Sequence, residues 1–98
     1  MKTTTENTEK ILKTLAKLPT KYFFVGTQIG ETHFYVRSFY INYFDKKPTP
    51  SLGTDILKAG LFFPDQICVL FENLHNIHVF YQDHTDDFSI KRVDLPAK

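Results

Sequence analysis

The chain has 98 residues, 42% of them hydrophobic and 23% charged, and twelve Lys and Arg against eleven Asp and Glu leave a net charge of +1. This composition is typical of a folded globular chain and argues against disorder or a coiled coil. The balanced charge gives no overall attraction to nucleic acid or to an anionic membrane. No stretch has the length and apolar character of a membrane span or a signal peptide. We therefore expect a cytoplasmic protein with a single domain over residues 1–98, flexible at about 1–4 and 95–98.

The first predicted element is an amphipathic helix that ends near Leu18, because Pro19 cannot continue it. Apolar side chains spaced three or four residues apart form one stripe along it: Ile11, Leu12, Leu15 and Leu18. Lysines and glutamates occupy the opposite side, where we expect solvent. The stripe is expected to cover one face of a sheet.

The densest run of β-branched and aromatic residues, 32–44, predicts a long strand around which the rest of the chain packs. A shorter aromatic strand, 21–25, precedes it, and Gly26 and Gly30 bracket a turn that would make the two an antiparallel hairpin. The apolar residues change sides along the long strand. Either a bulge near Arg37 and Ser38 shifts the alternation, or both faces of the strand are covered.

The middle of the chain is harder to interpret. Residues 45–51 are polar and contain two prolines, which predicts a loop, and residues 54–59 predict a short helix stopped by Gly60. Residues 65–76 fit two structures. As a helix they carry an apolar stripe, and as a strand they carry a continuous apolar run of residues that are mostly poor helix formers. We favour the strand.

Residues 77–82 and 88–93 predict two further strands, joined by a hairpin loop rich in aspartate. The predicted fold class is therefore α+β, with an N-terminal helix packed on a small, mostly antiparallel sheet of four or five strands. Beyond the helix stripe, the predicted core contains Phe24, Phe34, Val36, Leu70, Val79, Phe80 and Ile90.

No catalytic constellation is visible in the sequence. Cys68 lies in an apolar run, which indicates a buried, inert thiol, and no glycine-rich phosphate loop or glycine-flanked serine is present. His75 and His78 lack a second paired ligand motif, and on a strand they would point to opposite sides, so they do not indicate a zinc site. We predict no catalytic residue, no cofactor and no metal, and thus no enzyme.

The surplus of aromatic residues suggests a partner-binding surface, since Tyr and Arg are favoured at interfaces. Two polar segments add charge to it, a basic one after the long strand and an acidic one in the last hairpin. The candidate partner-binding residues are Tyr35, Arg37, Tyr40, Tyr43, Lys46, Lys47, Asp83, Asp86 and Asp87.

Two functions fit these features. The first is a small non-catalytic protein-binding module that occludes or bridges another protein, as an inhibitor or immunity factor of phage or plasmid type does, with a homodimer through the aromatic sheet as one form of it. The alternative is a single-stranded nucleic-acid-binding module, in which tyrosines stack on bases and Arg37, Lys46 and Lys47 contact phosphates.

Overall fold

The computed structural model describes residues 2–74 and 76–95, and for residues 2–6 it describes the backbone only. In chain order the elements are α1 Lys2–Ala16, β1 Phe24–Ile29, β2 Thr32–Ile41, β3 Pro48–Gly53, a 3-10 turn Ile56–Lys58, α2 Pro64–Asn73, β4 Ile77–Asp83 and β5 Ser89–Val93. The five strands form one antiparallel sheet in the order β3-β2-β1-β4-β5. The fold is α+β, as predicted.

Both helices lie on one face of the sheet, and the core is between them and the strands. The fully buried residues from the helices and from the strands form a single cluster: Ile11, Leu15, Phe23, Val25, Val36, Ile67, Leu70 and Val79. Val25 and Val79 are cross-strand partners, and Val93 follows them on β5. This confirms the predicted role of the α1 stripe, because Leu12 and Leu18 also pack against the cluster.

The predicted hairpin is confirmed, but residues 26–29, expected in its turn, belong to β1. Of the two alternatives for the change of sides along β2, the structure shows the bulge. β1 and β2 pair as a hairpin, and its turn contains Gly30 with a φ of 63°, a conformation that glycine adopts without a steric penalty. The pairing of β2 with β3 shifts between Val36 and Ser38. Because one extra residue is inserted there, Val36 and Phe39 both face the helices although they are three positions apart.

The strand predicted for residues 65–76 is wrong, because most of this segment is helical. Pro64–Asn73 is the helix α2, with Ile67, Cys68, Leu70 and Phe71 buried. Pro64 occupies the first turn, where a missing N–H costs nothing, and the Gln66 side chain accepts a hydrogen bond from the Phe63 N–H at 2.8 Å. These two start signals and the apolar stripe decide the structure against the weak helix propensity of the interior.

Two neighbouring predictions also change. Residues 48–51, expected as loop, belong to the edge strand β3, in which Pro48 and Pro50 pair with Ile41 and Phe39. An edge strand tolerates proline because alternate N–H groups point away from the ladder. The short helix expected at 54–59 is the three-residue 3-10 turn Ile56–Lys58, capped by the Asp55 carboxylate.

The predicted core is mostly confirmed, with one error. Phe24, Val36, Leu70 and Val79 are buried, and Phe34 and Phe80 are partly buried. Ile90 is 50% exposed, because its position on β5 faces away from both helices. At the chain ends, residues 2–4 belong to α1 and Leu95 packs against the core, while residues 1 and 96–98 lie outside the described part of the chain.

Candidate binding surface at one end of the sheet

One face of the sheet carries no helix, and we call it the open face. Cross-strand partners share a face, so the pairs Phe24 with Phe80 and Gly26 with Tyr35 define it. The rings of Phe24 and Phe80 stack at 5.6 Å, and the Phe80 ring also lies over Gly26, where an added Cβ would be 3.1 Å away. The centre of the open face is therefore a flat aromatic surface.

Cationic side chains surround these rings. Arg92 is the cross-strand partner of Phe80, and the stem of Arg37 lies over Gly53 at the bulge. Partial burial lowers the pKa of His78, and the positive charges of Arg92 and His33 lower it further. The strand positions that share this face include no Asp or Glu. Its fixed charges are thus positive along the strands.

The turn between β2 and β3, residues 42–47, presents aromatic side chains to solvent, and we call it the aromatic tip. Phe44 is 92% exposed and Tyr43 79% exposed. Their rings meet edge to face, and the Lys46 ammonium lies 4.6 Å from the Tyr43 ring centroid. The Asn42 carboxamide and the Asp45 carboxylate accept backbone N–H bonds at 2.8 and 3.0 Å. The tip is therefore an ordered turn that holds two aromatic side chains outside the core.

The turn between β4 and β5, residues 83–88, is the acidic hairpin. Asp83 points to the helix side, where it accepts hydrogen bonds from the Thr85 backbone and hydroxyl and a 2.8 Å bond from Lys91. Lys91 also reaches Asp86 at 3.0 Å. Hydrogen bonds from Lys91 and Thr85 hold the pKa of Asp83 at about 2, and those from Lys91 lower the pKa of Asp86. Both carboxylates are ionised at neutral pH and stabilise the turn.

An apolar groove of about 440 Å³ lies beside the acidic hairpin on the open face. Three segments line it, and they come from distant parts of the sequence: Tyr22 and Phe24 around the start of β1, Ile56, Leu57 and Leu61 around the 3-10 turn, and Phe88 at the end of the acidic hairpin with Ile90 on β5. Phe88 has a φ of 56°, which costs a bulky side chain about 1 kcal/mol or more. That strained backbone holds an exposed ring at the edge of the groove.

The exposed apolar side chains are not spread over the molecule. β2 and β4 run in the same direction, so the turns that follow them lie at the same end of the sheet, together with the start of β1. Among the residues that the structure describes, every large exposed apolar side chain lies at this end except Ile29: Tyr22, Tyr40, Ile41, Tyr43, Phe44, Leu57, Leu61, Phe63, Phe88 and Ile90. We call this region the apolar end.

The structure brings part of the predicted partner-binding set together. Tyr35, Arg37 and Tyr40 follow one another along the open side of β2, and Tyr43, Lys46 and Lys47 continue from them into the aromatic tip. Asp86 and Asp87 are exposed at the other edge of the sheet, whereas Asp83 is buried and engaged with Lys91. Leu57, Leu61 and Phe88 were not among the residues predicted from the sequence. The available signal was that these apolar residues belong to no helical or strand repeat, so no core element would bury them.

Cys68 is buried. Burial is the main reason that the pKa of its thiol is raised, and the negative charges of Glu72 and Asp65 raise it further. Across residues 2–74 and 76–95, no group of three or more His, Cys, Asp or Glu side chains gathers where it could hold a metal ion. His75 lies outside the described residues. Neither described helix combines the length and apolar character needed to cross a membrane.

No protein-family model matches this chain, and comparisons with curated proteins and with solved structures also return no match.

Proposed function

We propose that this chain is a small non-catalytic protein-binding module, of the inhibitor or immunity type, that occludes or bridges a partner protein through its apolar end. The observation that carries the proposal is the concentration of exposed aromatic and aliphatic side chains at that end, with Ile29 as the exception elsewhere. A contiguous exposed apolar patch on a small domain is typical of a protein interface.

The local structure supports a binding surface rather than incidental exposure. The aromatic tip is fixed by hydrogen bonds from its own backbone to Asn42 and Asp45, so its rings are held ready for contact without an ordering cost. Phe88 is kept at a strained backbone position although it is 61% exposed. Strain of this kind clusters at functional positions, because packing alone gives no reason to retain it.

The charges at this end support a directed encounter. Lys46 and Lys47 place positive charge on the aromatic tip, whereas Asp86 and Asp87 place negative charge on the acidic hairpin. Opposite charges at two edges of one surface orient a partner during approach, while the apolar groove between the edges supplies the affinity.

The proposal is tested by comparing the proteins that the immobilised wild-type chain captures from a lysate of its native host with those captured by a Leu57→Glu, Leu61→Glu variant. Both leucines are exposed, so the substitutions leave the core intact. The matched control is Ile29→Glu, at an apolar residue that is also more than half exposed and lies at the opposite end of the sheet. We expect quantitative mass spectrometry of captured proteins to show a loss for the groove variant and none for the control. Equal capture by all three chains would exclude the apolar end.

A second candidate function is the binding of single-stranded nucleic acid on the open face. It is favoured by Arg37 and Arg92 near a stacked aromatic pair, with no carboxylate among the strand positions of that face. Aromatic side chains stack on bases while cations contact phosphates.

The nucleic-acid candidate makes a different prediction from the first. Fluorescence anisotropy of labelled oligonucleotides should show binding that weakens steeply with added salt and is lost in an Arg92→Glu variant. Lys13→Glu on the solvent side of α1 changes the net charge equally and is the control. Absence of binding at low salt, or equal loss in both variants, excludes a site on the open face.

A further inference from the structure

The strand order gives the sheet an approximate symmetry. β1 is central, with the β2–β3 hairpin on one side and the β4–β5 hairpin on the other, and both hairpin turns lie at the same end. A two-fold axis parallel to β1 and outside the open face would therefore place the β2–β3 hairpin of one copy over the β4–β5 hairpin of its partner. Each aromatic tip would then lie over the partner's apolar groove.

We propose that the occupant of the apolar end is a second copy of this chain, bound open face to open face about this axis. The proposal rests on the proposed function, since it takes the apolar end to be a protein-binding surface and names what fills it. The contact is isologous and closed: each copy provides one tip and one groove, so the assembly stops at two. Aligned packing of two sheets in this way is common.

Charge complementarity at the apolar end argues for this occupant. The arginines of the open face do not oppose one another across this axis, because Arg37 on β2 lies over the partner's β4 and Arg92 on β5 lies over its β3. The aromatic tip carries Lys46 and Lys47 against Asp45, a net charge of +1. The acidic hairpin carries three aspartates against Lys91, which pairs with Asp83 and Asp86, a net charge of −2 that leaves Asp87 without an ion pair to Lys91. The axis brings the basic tip of one copy to the acidic hairpin of the other, twice in each dimer. The alternative axis, perpendicular to the strands, would reverse the strand direction of the partner, so that each aromatic tip would lie over the opposite end of the partner's sheet, away from its groove and its acidic hairpin.

The size of the surface points to the same arrangement. A five-stranded sheet about 24 Å wide, with strands about 20 Å long, presents roughly 500 Å² to a flat partner. A stable dimer buries about 800 Å² from each copy. Insertion of Tyr43 and Phe44 into the partner's groove would add the surface of two exposed rings to the contact between the open faces.

The first test is the mass of the wild-type chain by sedimentation velocity over protein concentrations from about 1 µM to 1 mM, a range that covers weak to moderate affinities. We expect a reversible monomer–dimer equilibrium with no larger species. A tip variant, Lys46→Glu with Lys47→Glu, and a hairpin variant, Asp87→Lys, should each raise the dimer dissociation constant by about tenfold or more. Ile29→Glu lies outside the contact and should leave it unchanged.

Mixing the two charge variants is the decisive measurement. In a mixed dimer, the introduced glutamates of the tip variant lie over the introduced lysine of the hairpin variant. The native tip lysines of the hairpin variant lie over the native Asp87 of the tip variant. Both charge contacts are therefore restored. We expect the mixture to recover dimer that neither variant forms alone. Circular dichroism and thermal unfolding establish that each variant is folded, so a loss of association is not a loss of structure.

Two results overturn the dimer: a wild-type chain that stays monomeric over this range, or a mixture that recovers nothing. A monomeric chain that still captures another protein through Leu57 and Leu61 defeats this inference and leaves the binding module standing. If the chain forms the predicted dimer, and the groove variant Leu57→Glu, Leu61→Glu disrupts it, the second copy is established as the occupant of the apolar end.

Discussion

The two faces of this sheet are built from neighbouring residues of the same strands and yet differ in every physical respect. Val25, Val79 and Val93 point towards the helices and are buried, whereas their neighbours Phe24, Phe80 and Arg92 point to the open face. The helix side is apolar and closed, with aliphatic and aromatic side chains, whereas the open side carries aromatic and cationic side chains and is partly exposed. The alternation of side chains along a strand thus lets one segment stabilise the fold and present a second surface at the same time.

The bulge in β2 shows how the two faces are kept separate. Without an extra residue, the side that carries Val36 would continue with Ser38 and Tyr40, and the helix side would lose its apolar contact. With it, Phe39 returns to the helix side, where it meets Phe62 at 5.7 Å. Arg37 is added to the open face. The bulge therefore preserves the core and increases the positive charge of the open face.

The largest expected difference between the faces is in their sensitivity to truncation. Phe23 is fully buried against Tyr81, so Phe23→Ala should lower the free energy of unfolding by about 3–5 kcal/mol. Ile90→Ala, on the open face and half exposed, should change it by under about 1 kcal/mol. Urea unfolding of both variants measures the contrast. Similar losses would mean that the open face is part of the core.

The division into faces was largely predictable from the sequence, because alternation and turn residues are local signals. Gly30 marked the first hairpin, the aspartates marked the last one, and the change of phase near Arg37 marked the bulge. The errors came where local signals conflict. In α2 the helix start at Pro64 and Gln66 outweighed an interior of poor helix formers, and in β3 edge pairing outweighed two prolines.

The second prediction concerns Gly60, which follows the 3-10 turn and lies against the bulge of β2. The Gly60 N–H donates to the Val36 carbonyl at 2.9 Å, and a Cβ on Gly60 would lie 2.9 Å from the Arg37 carbonyl carbon and 3.0 Å from the Phe62 ring. Because the obstruction is backbone, Gly60→Ala should lower the free energy of unfolding by about 1–3 kcal/mol. Thermal unfolding checks this.

Gly30→Ala is the matched control for that substitution. A Cβ at Gly30 meets nothing within 4 Å, so its only cost is the positive φ of 63°, about 1 kcal/mol. A larger loss for Gly30→Ala than for Gly60→Ala would contradict the close approach between the 3-10 segment and the bulge.

The candidate surface was less predictable than the fold. The aromatic tip could be found because Tyr43, Lys46 and Lys47 are close in sequence and near a turn. The groove could not, because it is assembled from three segments that only the tertiary structure brings together, and Ile90 has the same local pattern as a core residue. Surfaces made by distant segments depend on packing geometry, which no single-sequence pattern contains.

The third prediction uses the charged turn on the helix side. Lys91 and Thr85 hold the pKa of Asp83 at about 2, below its ordinary value of 3.8. A depressed carboxyl pKa means that the stabilisation is complete above about pH 5 and is lost as the pH falls from about 4 to 2. Asp83→Asn should therefore be less stable than wild type at pH 7, with a difference that shrinks across that window. Denaturant midpoints at pH 7, 4 and 2 measure it.

Asp87→Asn provides the control for the Asp83 substitution. Asp87 is exposed in the same turn, and its replacement changes the net charge equally without removing the contact with Lys91. We expect its effect on stability to be smaller than that of Asp83→Asn and nearly independent of pH. A pH-dependent loss of the same size in both variants would assign the effect to net charge and not to the hydrogen bonds of Asp83.

The smallest expected change in the free energy of unfolding is at Tyr40. It can be compared directly with the change at Phe39, because the two residues are adjacent in β2 and lie on opposite faces. Tyr40 is 63% exposed on the open face, so Tyr40→Thr, which replaces one strand-favouring residue by another, should change the free energy of unfolding by at most about 0.5 kcal/mol. Phe39→Thr next to it should cost about 2–3 kcal/mol, since the Phe39 ring packs on Phe62. Unfolding must be measured at concentrations where the chain is monomeric. A Tyr40→Thr loss close to that of Phe39→Thr would show that the two sides of β2 are not energetically separate, and the open face would then be a second core surface instead of one kept for binding.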